Sequence, residues 1–77
     1  MEMGKYYHMA IVYKIDVLKA LKEAGYNTSR LRKDKLMGEA MIQKIRENQL
    51  VSWATLDTIC TLLDCGVGDV VEHVKEN

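Results

Sequence analysis

Seventy-seven residues, 48% of them hydrophobic and 29% charged with no proline, make one small globular domain whose thin core favours short, well-packed helices. No apolar run nears the roughly 18 residues of a membrane span, and no apolar signal peptide leads the chain, so a cytoplasmic protein without a membrane anchor is expected. The formal net charge of zero hides an asymmetry: residues 1–50 carry ten Lys and Arg against six Asp and Glu, while residues 51–77 carry one against five, as suits a molecule turning one side toward a polyanion.

Residues 1–8, MEMGKYYH, lack periodicity and are expected to be a flexible extension, leaving residues 9–77 as a single domain. MAIVYKI, residues 9–15, is β-branched and aromatic, which predicts a short strand or extended arm. A lone strand is unstable. It must pair with the same arm of a second subunit as an antiparallel ribbon, or pack on the final helix of its own domain. A first helix runs from its N-cap, Asp16, to Ala24, with Val17, Leu18, Leu21 and Ala24 inward and Gly25 ending it.

Asn27 or Thr28 caps a short second helix that carries Leu31 among Arg30, Arg32, Lys33 and Lys35. A connector of about three residues, Leu36, Met37 and Gly38, leads to GEAMIQKIREN, residues 38–48, an amphipathic helix with Met41, Ile42 and Ile45 inward. Ser52 caps a fourth helix whose inner stripe is Trp53, Leu56, Ile59, Cys60 and Leu63. Val67, Val70, Val71 and Val74 then recur at helical spacing, although valines also suit a strand. Four or five short helices on tight turns define an all-α domain, and the segments 28–35 and 38–47 have the spacing of a helix-turn-helix.

Residues 9–74 resemble the small Cro/C1-type (XRE-like) helix-turn-helix regulators of bacteria, phages and mobile elements. VSWATLDTICTLLDCGVGDVVEHV carries most of the likeness: a fourth helix with Leu56, Ile59 and Cys60 in a Leu-x-x-Ile-Cys signature, a turn holding Cys65, and an Asp opening the last helix. Three positions depart from the family pattern. Arg32 stands where a small residue usually follows the conserved Leu, Leu36 where the turn usually has Gly, and Gly38 where Ser or Thr often caps the next helix.

The resemblance implies a compact four-to-five-helix domain that binds double-stranded DNA sequence-specifically, as a small repressor-like transcriptional regulator. Residues 38–47 would be the recognition helix, entering the major groove by its N-terminus. Its base-facing positions would be Glu39, Ala40, Gln43 and Lys44. Glutamine can bridge adenine N6 and N7, lysine can meet guanine O6 and N7, glutamate can accept from the cytosine amino group, and an alanine methyl can touch the thymine methyl. Phosphate contacts would come from Asn27 and Thr28 at the start of the second helix and from Arg30 and Lys33 on one side of it. Asn48, Gln49 and Ser52 would add others, while Arg32 and Lys35 share the opposite side. Glu39 would repel phosphates unless it met a cytosine or a neighbouring Lys, or it would serve to reject wrong sequences. A homodimer on a palindromic operator would double the contacts, formed through the 9–14 arm or through Trp53, Val70, Val71 or Val74.

The same polar face can also be ordinary solvated surface, in which case the helix-turn-helix body serves as a protein-interaction module of the antirepressor, adaptor or antitoxin kind. An enzyme has little behind it. Neither His8 nor His73 has a nucleophile partner at a suggestive spacing, and there is no Gly-rich phosphate loop or paired-carboxylate motif. Cys60 and Cys65 read as reduced, packed thiols, since zinc would need about four ligands at short paired spacings. No metal, cofactor, small-molecule ligand or membrane partner is expected.

Overall fold

The computed structural model describes residues 9–75, so the expected N-terminal extension, residues 1–8, lies outside the described part. In chain order the elements are β1 (Met9–Tyr13), α1 (Val17–Glu23), α2 (Thr28–Lys33), α3 (Glu39–Arg46), α4 (Trp53–Leu63), α5 (Val67–Val70) and β2 (Val71–Lys75).

Short polar side chains set where three of the helices begin. The carboxylate of Asp16 accepts from the Lys19 amide at 3.2 Å, the Asn27 side-chain oxygen from the Arg30 amide at 2.8 Å, and the Ser52 hydroxyl from the Thr55 amide at 3.1 Å. Each satisfies a backbone N–H that has no partner inside its helix. Gly38 opens α3 without such a bond.

The first four helices end alike, on a residue in the left-handed region: Gly25 (φ 100°), Lys35 (φ 56°), Asn48 (φ 59°) and Asp64 (φ 54°). The next amide then turns back to a carbonyl of the last helical turn. Tyr26 donates to Leu21 at 2.7 Å, Leu36 to Leu31 at 2.9 Å, Gln49 to Lys44 at 2.8 Å, and Cys65 to Cys60 at 3.0 Å. These are Schellman closures, which Gly fills without strain and Asn or Asp at small cost. Lys35 is the misfit among them. The turn does need a left-handed residue, one position before Leu36, and a lysine occupies it.

Val17, Leu21, Leu31, Met37, Ile42, Ile45, Ile59 and Val70 form the buried core. Every helix contributes, and α1 lies at the centre, packed on both α3 and α4.

The structure corrects several expectations. The domain is not all-α, because β1 and β2 form an antiparallel ribbon with Met9 opposite Lys75, Ile11 opposite His73 and Tyr13 opposite Val71. The arm therefore pairs inside its own chain, but with a strand rather than a terminal helix. The final valine segment is helical only over Val67–Val70 and extended from Val71 onward. Its β-branched residues accept either backbone, and β1 supplies the ladder partners that tip residues 71–75 to strand. Lys14 secures the junction, its amide donating to the Val70 carbonyl at 2.8 Å and its Nζ to the Gly68 carbonyl at 2.9 Å.

The helix-turn-helix connector spans residues 34–38, five rather than about three, because α2 ends at Lys33. Met37 in that connector is buried, while Ala24 at the end of α1 is exposed. Trp53 does not belong to the inner stripe of α4: it is 89% exposed. It occupies the first helical position, one turn before the stripe reaches the core at Leu56 and Ile59.

Candidate nucleic-acid interface

Leu31 and Met37 hold the two helices of the motif together. The Leu31 side chain is fully buried, and its carbonyl accepts from the amides of both Leu36 and Met37, at 2.9 and 3.2 Å. Met37 then drops into the core, so the five-residue turn is pinned at both ends. In α3 the buried positions are Ile42 and Ile45. Glu39, Ala40, Gln43 and Lys44 are all exposed and, at this spacing, share the opposite face.

The four exposed side chains differ in how they are engaged. Arg32 Nη1 donates to Glu39 Oε1 at 2.7 Å. Arg32, Lys35, Met37, Gly38 and Glu39 line one shallow hollow at the tip of α3. Gln43 sits in a chain of hydrogen bonds along the helix, with its Nε2 donating to Glu47 at 2.7 Å and Arg46 Nη1 donating to its Oε1 at 2.8 Å. Lys44 makes no ion pair among the described residues.

The candidate phosphate contacts separate in the same way. Arg30 is committed to its own domain: Nη1 donates to the Gly25 carbonyl at 2.9 Å, Nε to Asp34 at 3.2 Å, and the guanidinium lies 4.6 Å from the centre of the Tyr26 ring. Lys33 is exposed on the same short helix. Arg32 and Lys35, the opposite pair, are the ones that flank α3. Asn27 is exposed but its oxygen caps α2, and Thr28 is half-buried. Asn48, Gln49 and Ser52 are exposed along the connector to α4. The Ser52 hydroxyl also donates to Thr55 Oγ1 at 3.0 Å.

Two residues of the site were missed from the sequence. Arg46 orients Gln43, and the i, i+3 spacing between them was the available signal. Tyr13 on β1 donates its hydroxyl to the Gln49 carbonyl at 2.7 Å, tying the ribbon to the connector that follows α3. Burial raises the pKa of Tyr13 above the ordinary tyrosine value. No local pattern announces a bond across 36 positions. Cys60 and Cys65 are half-buried free thiols, and burial and then the neighbouring Cys60 push the Cys65 thiol up, which disfavours the reactive thiolate. No three His, Cys, Asp or Glu side chains among the described residues are placed to hold a metal ion, and none of the described helices is long and apolar enough to cross a membrane.

A short second helix, a pinned turn and a third helix with an exposed polar face, the third packed on a central first helix, define a small helix-turn-helix domain. The chain belongs to the Cro/C1-type helix-turn-helix DNA-binding domain family, whose model matches residues 16–76. The strand β1 precedes the matched region. Among solved structures, the chain is similar to the transcriptional regulator VanUg (crystal form II), with 28% identity and a TM-score of 0.63 over 90% of this chain and 91% of that one. No curated protein matches it.

Proposed function

We propose that this chain is a repressor-like transcriptional regulator that reads double-stranded DNA with α3 in the major groove. One observation carries the reading: Glu39, Ala40, Gln43 and Lys44 form an exposed face on a helix whose other face is locked into the core by Ile42 and Ile45. A helix fixed this way meets a groove without reorganising. Membership of a DNA-binding family and likeness to a transcriptional regulator add weight.

In this account Gln43 and Lys44 contact purines, Ala40 meets a thymine methyl, and Glu39, restrained by Arg32, meets a cytosine amino group. Phosphate contacts come from Arg32 and Lys35 beside α3, with Lys33, Asn27, Thr28, Asn48, Gln49 and Ser52 at its margins. Arg30 is withdrawn from that set, because three internal partners already hold it. The protein acts in the cytoplasm as a homodimer on a palindromic operator, with its two reading helices one turn of duplex, about 34 Å, apart.

Salt tests this against the protein-interaction alternative. With about four to five phosphates neutralised, log affinity for duplex DNA falls with log salt at a slope of about −4. Fluorescence anisotropy with a labelled duplex measures it. Absence of binding at low salt, or an affinity indifferent to salt, contradicts the proposal.

A further inference from the structure

The four Schellman closures each set two residues side by side: Leu21 with Tyr26, Leu31 with Leu36, Lys44 with Gln49, and Cys60 with Cys65. At these two positions of the motif the side chains often meet as an apolar contact. Only the last closure pairs two groups able to bond to each other, and they are the only cysteines of the chain. The Cys65 amide donates to the Cys60 carbonyl at 3.0 Å. The path from Cα to Cα through that bond is about 7 Å if fully straight. The bend at each atom brings the two within the roughly 4.4–6.8 Å that a disulfide spans. Their side chains already meet, because the Cys60 thiol is hydrogen-bonded to that of Cys65. Both thiols are free and only half-buried, so a small molecule in water can reach them.

We propose that Cys60 and Cys65 are a modification site, a dithiol that closes to an intramolecular disulfide when the protein meets a small neutral peroxide. The step balances with hydrogen peroxide as the oxidant. One sulfur attacks the peroxide, its S–O bond forming as the O–O bond breaks, and the departing hydroxide leaves as water with the thiol's proton. The second sulfur attacks the resulting sulfenic acid: the S–S bond forms, the S–O bond breaks, and a second water leaves. The two thiols give up two electrons, which reduce one peroxide to two waters. In a reducing compartment such a bond is transient and marks a passing exposure to oxidant.

Charge and burial select the reagent. Burial, then the neighbouring Cys60, Asp69 and Asp64, keep the proton on Cys65, so the pair reacts slowly and answers sustained exposure. The same two carboxylates repel an anionic oxidant such as glutathione disulfide, whereas hydrogen peroxide is small and uncharged. The bond joins α4 to the turn that leads into α5, where Val70 is buried and its carbonyl holds the Lys14 amide. Oxidation thereby staples the end of α4 to the root of the β1–β2 ribbon.

Treatment of the full chain with hydrogen peroxide, followed by alkylation and mass measurement, tests the proposal. The parent should pass from two alkylatable thiols to none, run as a single chain on a non-reducing gel, and regain both thiols with dithiothreitol. Thiols are counted by alkylation because the five methionines can also take up oxygen. Cys65→Ser lacks the second sulfur, so its Cys60 should cross-link chains or pass to acids that dithiothreitol does not restore. After subtraction of the change that peroxide causes in Cys65→Ser, the oxidised parent should melt about 5–10 °C above the reduced one, as a staple across a short loop implies. None of these readouts uses DNA, so their failure leaves the reading of DNA by α3 standing. Thiols that survive the oxidant, that fail to return with dithiothreitol, or that bridge two chains overturn the proposal. So does an oxidised parent that melts no higher than the reduced one after that subtraction.

Discussion

Arg32 reaches across the turn of the motif and holds Glu39, Nη1 to Oε1, at 2.7 Å. The pair places a cation beside the one carboxylate at the tip of α3. Both side chains are about half exposed, so the bond adds little to folding, on the order of 0.5 kcal/mol or less. Its effect on an approaching phosphate is larger, because removing the cation leaves Glu39 uncompensated. Arg32→Ala should therefore weaken duplex binding by about tenfold, the factor that 1.4 kcal/mol of repulsion produces, while the melting temperature hardly moves. Adding Glu39→Gln to that variant should restore the part of the loss that comes from the uncompensated carboxylate, but not the part that comes from the phosphate contact of Arg32 itself. A double-mutant cycle on DNA affinity measures the coupling, and additive effects would show that the two residues act independently.

Lys35 offers a gain in stability. Its φ of 56° puts a side chain in a conformation that costs a non-glycine residue roughly 1–2 kcal/mol. Lys35→Gly should stabilise the domain by about 1 kcal/mol and raise Tm by about 4–8 °C. Asn48→Gly, at nearly the same φ, should gain much less, because asparagine already tolerates that region. Thermal unfolding of both variants checks the contrast. Equal gains would mean that Lys35 is no more strained in its turn than Asn48 is, and no gain at Lys35 would mean that the turn imposes no strain on it.

The core that fixes α3 is thin, and its members are individually costly to remove. Leu31 and Ile42 are both fully buried, so Leu31→Ala or Ile42→Ala should cost about 2–5 kcal/mol. That is a large part of the total stability of so small a domain. Urea denaturation should show the midpoint falling sharply, and DNA binding should fail with the fold rather than before it.

Tyr13 ties the ribbon to the connector, and Tyr13→Phe should lose about 1 kcal/mol with the bond to the Gln49 carbonyl. The hydroxyl also has a pH signature. Its folded pKa is raised above the unfolded value of about 10, so the fold favours the neutral form. Its contribution is fully present below pH 10 and is lost as pH climbs through the folded value. Alkaline melts of parent and Tyr13→Phe should thus converge, and a constant gap across that range would exclude this linkage.

Caps and helix stripes made most of this fold legible in the sequence. Asp16, Asn27 and Ser52 mark helix starts by a local chemistry that needs no tertiary partner, and Leu31, Ile42 and Ile45 fall where the helical period puts them. What escaped depends on distant partners. Val71 to Val74 could take either backbone until β1 was there to pair with them. Trp53 continued the stripe of α4 on paper, but the core stops one turn short of it. Met37 looked like part of a break because a lone apolar residue in a turn has no period. The face of α3 was legible for the same reason as its buried side, whereas the engagement of Arg32 with Glu39 and the inward fold of Arg30 depend on rotamers that spacing does not determine.

Selection of bound sequences from a random duplex pool tests the role of α3 most directly. The parent should enrich one motif, and Gln43→Ala and Lys44→Ala should each change it at specific base pairs while leaving the fold intact, each lost contact relaxing discrimination by about 1–3 kcal/mol at its position. An unenriched pool, or the same motif from all three proteins, would contradict the assignment of Glu39–Arg46 as the reading helix.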